Sequence, residues 1–391
     1  MQTPDLTLRP LYPGPSTAFR EDADALVREA SRLQGALHPV TRQGIADLLG
    51  LMNSYYSNLI EGHRTYPREI EQALRDSFSN DPAERDLQRE AVAHVETEKE
   101  VRAELARDPA LNPAATDFLR WIHERFYSRI PEETRYVEGG SGQREPVIPG
   151  EFRPRGVAVG RHLPPDAGDL PALMRAFENG YRVDRLHHPE DLAAVVAAHH
   201  RLVWIHPFLD GNGRVARILL QAHLHRLELL GEGLWSMARG LARNSPRYRE
   251  LLAAADARKH DMMDGRGHLT ERGLLQLCEF MAATARDQVR FMAGVLELDT
   301  LTQRMRTFVD LDPELRPEAF YLLREAAIRG EMARGEAARI TGLGERTARE
   351  LVKDLLGRGL LESDSAKKPV RLGFPTVAAE TYFPRLFLPS A

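Results

Sequence analysis

The stretch His206-Pro207-Phe208-Leu209-Asp210-Gly211-Asn212-Gly213-Arg214-Val215-Ala216-Arg217 constrains this chain more than any other. Apolar, helix-like segments flank it, Leu192 to Ile205 before and Ile218 to Leu230 after. The loop must end one helix and start the next within a few residues. A glycine-rich turn into a helix offers free backbone N–H groups and the positive end of the helix dipole, a setting that suits a polyanion. Gly211 and Gly213 carry no Cβ to keep a phosphate from the backbone. Arg214 and Arg217, three apart, share a face of the following helix beside such a group. Asp210 is a hard oxygen ligand, suited to a Mg2+ also held by phosphate oxygens. His206 has a side chain whose ordinary pKa lies near neutrality, as a general base needs.

The whole stretch resembles the signature His-Pro-Phe-x-Asp/Glu-Gly-Asn-Gly-Arg-x-x-Arg of Fic-domain proteins and matches it at every specified position. The resemblance implies a helical fold that transfers a nucleotide monophosphate, most often AMP from ATP, to a Ser, Thr or Tyr hydroxyl of a target protein. It makes His206 the catalytic base and Asp210 the holder of Mg2+. It gives the phosphates to Gly211, Asn212, Gly213, Arg214 and Arg217, with Asn212 orienting a phosphate oxygen and Phe208 anchoring the loop in the core. Asn244 and Tyr248 lie where related proteins often place groups near the adenine. Gly213 argues against the kinase-like branch, which usually departs from the second glycine of the signature.

Two further stretches extend the resemblance. Ser57-Asn58-Leu59-Ile60-Glu61-Gly62 fits the inhibitory motif Ser/Thr-x-x-x-Glu-Gly/Asn, which implies that Ser57 and Glu61 end a helix and that Glu61 pairs with Arg217. Pro149 to Arg153 and Val157 to Pro165 resemble the flap hairpin of Fic proteins. There Val157, Ala158 and Val159, between Gly156 and Gly160, read as a short strand onto which a target segment adds. A different transferred nucleotide, such as UMP, stays open, as do two rival readings. In one, Glu61 helps water remove AMP from a modified protein; in the other, the chain is a DNA-binding regulator with a nucleotide-sensing core.

With 391 residues the chain is long for one domain. The expected fold is mainly α: a helical N-terminal region over 1–105 carrying the inhibitory motif, a helical core with a small β-hairpin flap over 106–298, and a winged helix-turn-helix over 299–391. Periodicity predicts helices over Glu21 to Leu37, Thr41 to Leu59, Ala114 to Tyr127, Asp169 to Tyr181 and Leu274 to Leu298, a helix opening at Pro189, and a solvated, charged helix over 84–107 with a thin stripe of Val92, Val95 and Val101. Residues 1 to about 20, rich in proline and glycine, are expected to be extended. Gly139-Gly140-Ser141-Gly142 should form no helix.

Near the C-terminus, Gly335 to Ile340 and Glu345 to Gly357 read as two helices joined by a glycine turn, with Leu360 to Ser363 and Lys367 to Leu372 as a wing. The pattern closes on itself. Arg346, Thr347, Arg349 and Lys353 would face DNA from the second helix. Residues 314–391 hold 13 basic and 11 acidic side chains, a net of +2 and no basic stripe, so protein contact is an equal reading.

A net charge of −4 gives no general attraction to nucleic acid or membrane. The single cysteine, Cys278, excludes an internal disulfide framework and points to a reducing compartment. No apolar run approaches a membrane span and no signal-peptide core is apparent, so a cytoplasmic, bacterial protein is expected. His199, His200 and His206 lack the spacing and the third ligand of a zinc site. The partners implied are ATP and an unidentified target protein, with self-modification and a homodimer left open.

Overall fold

A computed structural model describes residues 8–138, 144–182, 188, 191–231, 233–259, 261–265 and 267–387. The loop read at Gly139 to Gly142 and the helix start read at Pro189 lie outside the described residues. The fold is mainly helical. The N-terminal half contains α1 (Thr17–Gln34), α2 (Pro39–Glu61), α3 (Pro67–Ala73), α4 (Pro82–Arg107) and α5 (Thr116–Tyr127). A hairpin of β1 (Tyr136–Glu138) and β2 (Arg144–Pro146) leads to α6 (Leu170–Gly180), α7 (Asp191–Ile205) and α8 (Asn212–Arg226). Then come α9 (Met237–Arg243), α10 (Ser245–Ala255), α11 (Glu271–Val295) and α12 (Leu298–Leu311). The last part comprises α13 (Ala319–Arg329), β3 (Glu331–Met332), α14 (Ala337–Thr341), α15 (Glu345–Gly357), β4 (Leu361–Glu362), β5 (Val370–Leu372) and α16 (Thr376–Tyr382).

α7 is the centre. It is buried almost all round, from Leu192 to Ile205, and so needs neighbours on every side. α8 and α11 pack on it, and α2, α4 and α5 reach α8 from the other side. α2 opens with Pro39 at its first position, where a fixed φ and a missing N–H cost nothing. Pro39 therefore starts this helix two residues before the expected Thr41. α2 stops at Gly62, whose φ of 90° is the left-handed C-cap conformation.

Three expectations need correction. α4 is not a solvated helix: Ala91, Ala93, His94, Thr97, Glu98, Val101 and Leu105 are buried, and the helix lies against α2, α5 and α8. Its small and polar buried residues hid the packed face from a hydrophobicity count. Second, Val157, Ala158 and Val159 form no strand. A single bridge joins Val159 to His162 around Gly160, whose φ is 60°, and the flanking peptides are not laddered. The ladder sits upstream instead, Tyr136 pairing with Pro146 and Glu138 with Arg144. Third, the helix expected to run to Leu298 ends at Val295, and α12 begins at Leu298.

The C-terminal part packs on the N-terminal helices as well as within itself. The two helices and two strands read there form, and β3 adds a third strand in the antiparallel order β3-β5-β4. Yet β5 lies against α2 and α16 against α3. A Cβ on Gly44 of α2 would stand 3.0 Å from the Phe374 ring. Thr41 donates to the Ala327 carbonyl at 3.1 Å, and the Tyr56 hydroxyl donates to the Leu386 carbonyl. Apolar contact runs unbroken from Leu8 to Leu386.

Phe374→Ala removes a ring at this seam and is expected to destabilise the chain by about 3–5 kcal/mol. Urea unfolding followed by helical signal checks it. The midpoint of the main transition should fall; a shift confined to a separate minor transition would mean that the C-terminal part folds on its own.

Candidate active site

The loop from His206 to Asn212 is tied down by its own residues. His206 has a φ of 51°, a left-handed conformation that a non-glycine residue holds only under constraint. Arg153 supplies that constraint. Buried at 2% exposure, its Nε donates to the His206 carbonyl at 2.7 Å, and its backbone N–H donates to the Pro207 carbonyl at 2.8 Å. The same guanidinium donates to the carbonyls of Arg155 and Pro165, so one side chain joins the loop to the segment that the flap reading covers. Asn212 closes the other end. Its Oδ1 accepts from the Phe208 N–H at 2.9 Å and its Nδ2 donates to the Phe208 carbonyl at 2.8 Å. Both ends of the amide thus brace the loop, and Asn212 is 2% exposed. Phe208 is buried and stacks on the His123 ring, centroids 4.0 Å apart.

Three residues of α4 and α5 went unread in the sequence. His123 accepts from the Gly150 N–H through Nδ1 at 2.9 Å and donates through Nε2 to the Asp210 carbonyl at 3.3 Å. Burial holds its pKa at about 3, so the ring is neutral and this tautomer persists. The Tyr127 hydroxyl donates to the Asp210 carboxylate at 2.6 Å. Its ring underlies Gly211, where φ is 77° and a Cβ would lie 2.7 Å from Tyr127 Cε2. Glu90 of α4 forms an ion pair with Arg214, and His63 Nδ1 stands 3.1 Å from the same carboxylate. A histidine and a tyrosine on one helix and a glutamate on another carry no local signal of a shared site; only tertiary contact defines them.

His206 donates from Nδ1 to the Val203 carbonyl at 3.3 Å, which leaves Nε2 as the proton acceptor. Burial lowers its pKa to about 4 against the raising effect of that bond. Asp210 and His206 share the loop, and the first turn of α8 starts at Asn212, with Gly211 as N-cap.

Arg214 and Arg217 are both 6% exposed and turn to different partners: Arg214 to Glu90, Arg217 to α2. Arg217 Nε donates to the Ser57 hydroxyl at 2.9 Å, and Nη2 donates to Glu61 Oε1 at 2.5 Å. Burial raises the Glu61 pKa, but Arg217 and then Arg214 overcome it and hold the carboxyl at about 2. A Cβ on Gly213 would meet Glu61 Oε1 at 2.5 Å. The carboxylate thus lies against the first turn of α8, the position a helix N-terminus offers to an anion. It also ends its own helix, where an acid opposes the dipole, so the arginines offset an intrinsic cost.

Of the remaining sequence candidates, Tyr248 is buried and donates to His199 Nε2 at 2.6 Å, while His199 Nδ1 donates to the Ala216 carbonyl at 2.9 Å. Asn244 is exposed and donates to the Gly240 carbonyl at 3.0 Å. The two face apart, one inward beside α8 and one to solvent. Ala158 and Val159 are exposed near Arg153, and Val157 is half-buried. Arg346 and Arg349 are exposed but paired with Glu350 at 3.2 Å and Glu345 at 2.7 Å; Lys353 is exposed and Thr347 half-buried. Among the described residues no cluster of three or more His, Cys, Asp and Glu side chains is placed to hold a metal, and no helix is long and apolar enough to cross a membrane.

A family model described as Fic/DOC family matches residues 113–224. The chain is 48% identical over 88 residues to the protein adenylyltransferase Fic of Drosophila erecta, and 46% identical over 87 residues to that of Drosophila mojavensis. Each match covers 22% of this chain and 17% of the relative, so the chain spans under a fifth of the length of the curated relatives it matches. Among solved structures, a Fic family protein from Desulfovibrio desulfuricans is similar with a TM-score of 0.53 at 18% identity, over 92% of this chain and 97% of that one. Fic-1 from C. elegans is similar with a TM-score of 0.55 at 14% identity, over 72% of this chain and 73% of that one. These likenesses show a shared fold.

Asn212→Ala tests the loop's construction. It leaves the buried N–H and carbonyl of Phe208 unpaired, a loss of about 1–3 kcal/mol for each buried group. Chemical unfolding should register that loss; unchanged stability would mean that the amide does not hold the turn.

Proposed function

We propose that the Fic/DOC domain over residues 113–224 transfers AMP from ATP to a Ser, Thr or Tyr hydroxyl of a target protein, and that Glu61 restrains it. The observation that supports this reading best is the pairing of a neutral His206, its Nε2 lone pair available, with an anion site at the first turn of α8 that Glu61 now fills. ATP phosphates take the place of the Glu61 carboxylate over Gly211 and Gly213. Arg217, released from Glu61, holds the γ-phosphate, and Arg214 adds positive charge behind the loop. His206 Nε2 takes the proton of the target hydroxyl, whose oxygen attacks the α-phosphorus in line; the bond to the bridging oxygen breaks and pyrophosphate leaves.

Asp210 suits Mg2+, which is commonly held by one or two carboxylates together with substrate phosphates and not by an all-protein cage. The Tyr127 hydroxyl fixes one of its oxygens and leaves the other for the ion. Bound there, Mg2+ would neutralise charge on the phosphates. The exposed turn at Ala158 and Val159 is the target-docking edge on this reading. We read α13 to β5 as a winged helix-turn-helix. The pairing of Arg346 and Arg349 with glutamates favours protein contact over DNA for it. The reverse reaction, in which Glu61 aids water, is an outcome of the tests below.

Incubation with radiolabelled ATP and Mg2+ checks the chemistry. His206→Ala should cut label transfer by about 10²–10⁴-fold while ATP binding persists. Undiminished transfer removes the histidine from the mechanism. Since the neutral form is the base and its pKa is about 4, wild-type transfer should fall only as pH drops through about 4.

Glu61→Gly should raise self-labelling by tens- to hundreds-fold, on the order of a few kcal/mol, and Arg217→Ala should abolish the gain. The Glu61 pKa is depressed to about 2, so the restraint is complete above the ordinary carboxyl value of 4.5 and is lost only as pH falls through about 2. The ratio of Glu61→Gly to wild-type labelling should therefore stay flat between about pH 6 and about pH 9. Equal labelling of the two proteins would sink the restraint. Loss of AMP release from a modified protein in the variant would favour the reverse reaction.

A further inference from the structure

The end of α7 is short of backbone donors. A helix leaves its last few C=O groups without intrahelical partners. Here the sequence deepens the shortage. The Leu202 carbonyl accepts from the His206 N–H at 3.0 Å, but the Val203 carbonyl would take its bond from position 207, a proline with no N–H. The Phe208 N–H, next in turn for Trp204, goes to Asn212 instead.

Side chains fill the vacant places. The His206 ring takes the Val203 carbonyl at 3.3 Å. Arg153 reaches the carbonyl of Ile205 through Nη2 at 3.5 Å and that of His206 through Nε at 2.7 Å. The Trp204 carbonyl, between them in sequence, accepts from His162 Nε2 at 2.7 Å. A carbonyl oxygen only accepts, so Nε2 of His162 carries a proton.

His162 reaches α7 from a tight turn. Val159 and His162 exchange backbone hydrogen bonds at 2.9 and 3.0 Å around Gly160. The turn leaves Ala158, Val159 and Arg161 exposed and sends the His162 side chain, 15% exposed, inward. That ring packs beside the Trp204 ring, centroids 6.1 Å apart, and His268 flanks the same indole at 5.6 Å. His162 Nδ1 stands 3.9 Å from Asp256, too far for a hydrogen bond, and Asp256 lies 2.9 Å from His200 Nε2. Trp204, through its carbonyl and its ring, therefore sets where His162 lies. Arg153 repeats the link beyond the turn, donating to the Pro165 carbonyl with the guanidinium that also caps α7.

We propose that His162 is a positioning residue: it joins the exposed turn to the end of the helix that carries His206, so that the turn and the base move as one body. A base and a hydroxyl react when their atoms approach to about 3–3.5 Å, and a displacement of about 1 Å can cost about 100-fold in rate. A target segment docked at Ala158 and Val159 is thereby placed against a carbonyl two residues before the base. The docking side of this role rests on the function proposed above; the tie between turn and helix does not.

The test uses the full chain carrying Glu61→Gly, in which label transfer is expected to be highest. His162→Leu keeps the bulk and removes the donor. His162→Gln carries an N–H at the same bond count from Cβ. His162→Leu should cut label transfer from ATP by about 10–100-fold with ATP affinity, measured by calorimetry, unchanged, and His162→Gln should recover most of the loss. Hydrogen exchange reads the tie without reference to transfer. In His162→Leu the N–H groups of Val159 and His206 should both exchange faster, by about 2–10-fold, and in His162→Gln both should slow again. His162→Ala is used should His162→Leu not fold. Undiminished transfer, a loss of ATP affinity equal to the loss of transfer, no recovery in a folded His162→Gln, or faster exchange at Val159 with His206 unchanged each overturns the proposal. Should exchange behave as expected while Glu61→Gly itself transfers no label, the tie stands and the transfer reading falls.

Discussion

Everything around the loop answers to an excess of positive charge at the start of α8. The first-turn N–H groups have no partners within the helix, and two arginines rise from its first two turns, each almost wholly buried. Buried guanidinium groups need acids beside them. The N-terminal helices supply one for each: Glu61 from the end of α2 and Glu90 from the middle of α4. The packing of α2 and α4 on α8 is thus an electrostatic requirement as much as an apolar one. It also explains how charged residues occur on the packed side of α4.

The second constraint is stiffness. His206 sits in a backbone conformation that it would not choose alone. Arg153 from one side and Asn212 from the other hold it there with hydrogen bonds to backbone atoms. These contacts spend polar side chains on geometry. Such spending accounts for a loop rich in polar residues in which few side chains are free to meet a ligand.

The loop and its flanking helices were legible because their signal is local: glycines, a histidine and two arginines in one run between apolar segments. The pairing of Glu61 with Arg217 was legible only through resemblance, since 156 residues separate them. His123, Tyr127 and Glu90 were not legible, because each looks like an ordinary helix residue until the chain folds. The bracing of Phe208 by Asn212 was not legible either, because only the folded loop brings that amide to its backbone partners. The flap strand failed where Gly156 and Gly160 bracket too few residues to support a ladder. The C-terminal elements were readable from their periodicity, but Phe374 and the face of α2 that receives it were not.

Gly213 has a consequence for how such a site behaves over a range of conditions. The absent side chain is what admits the Glu61 carboxylate to the first turn of α8, and under the proposed function the same opening would be the approach for a nucleotide's phosphates. Two anions cannot share it. Restraint of this kind is competitive: it reduces the fraction of molecules ready to bind, and raises the apparent dissociation constant in proportion, without altering what happens once the nucleotide is in place. Rising nucleotide concentration would erode it. The resting output of the chain would then follow the nucleotide supply around it, steeply when supply is scarce and hardly at all when it is abundant.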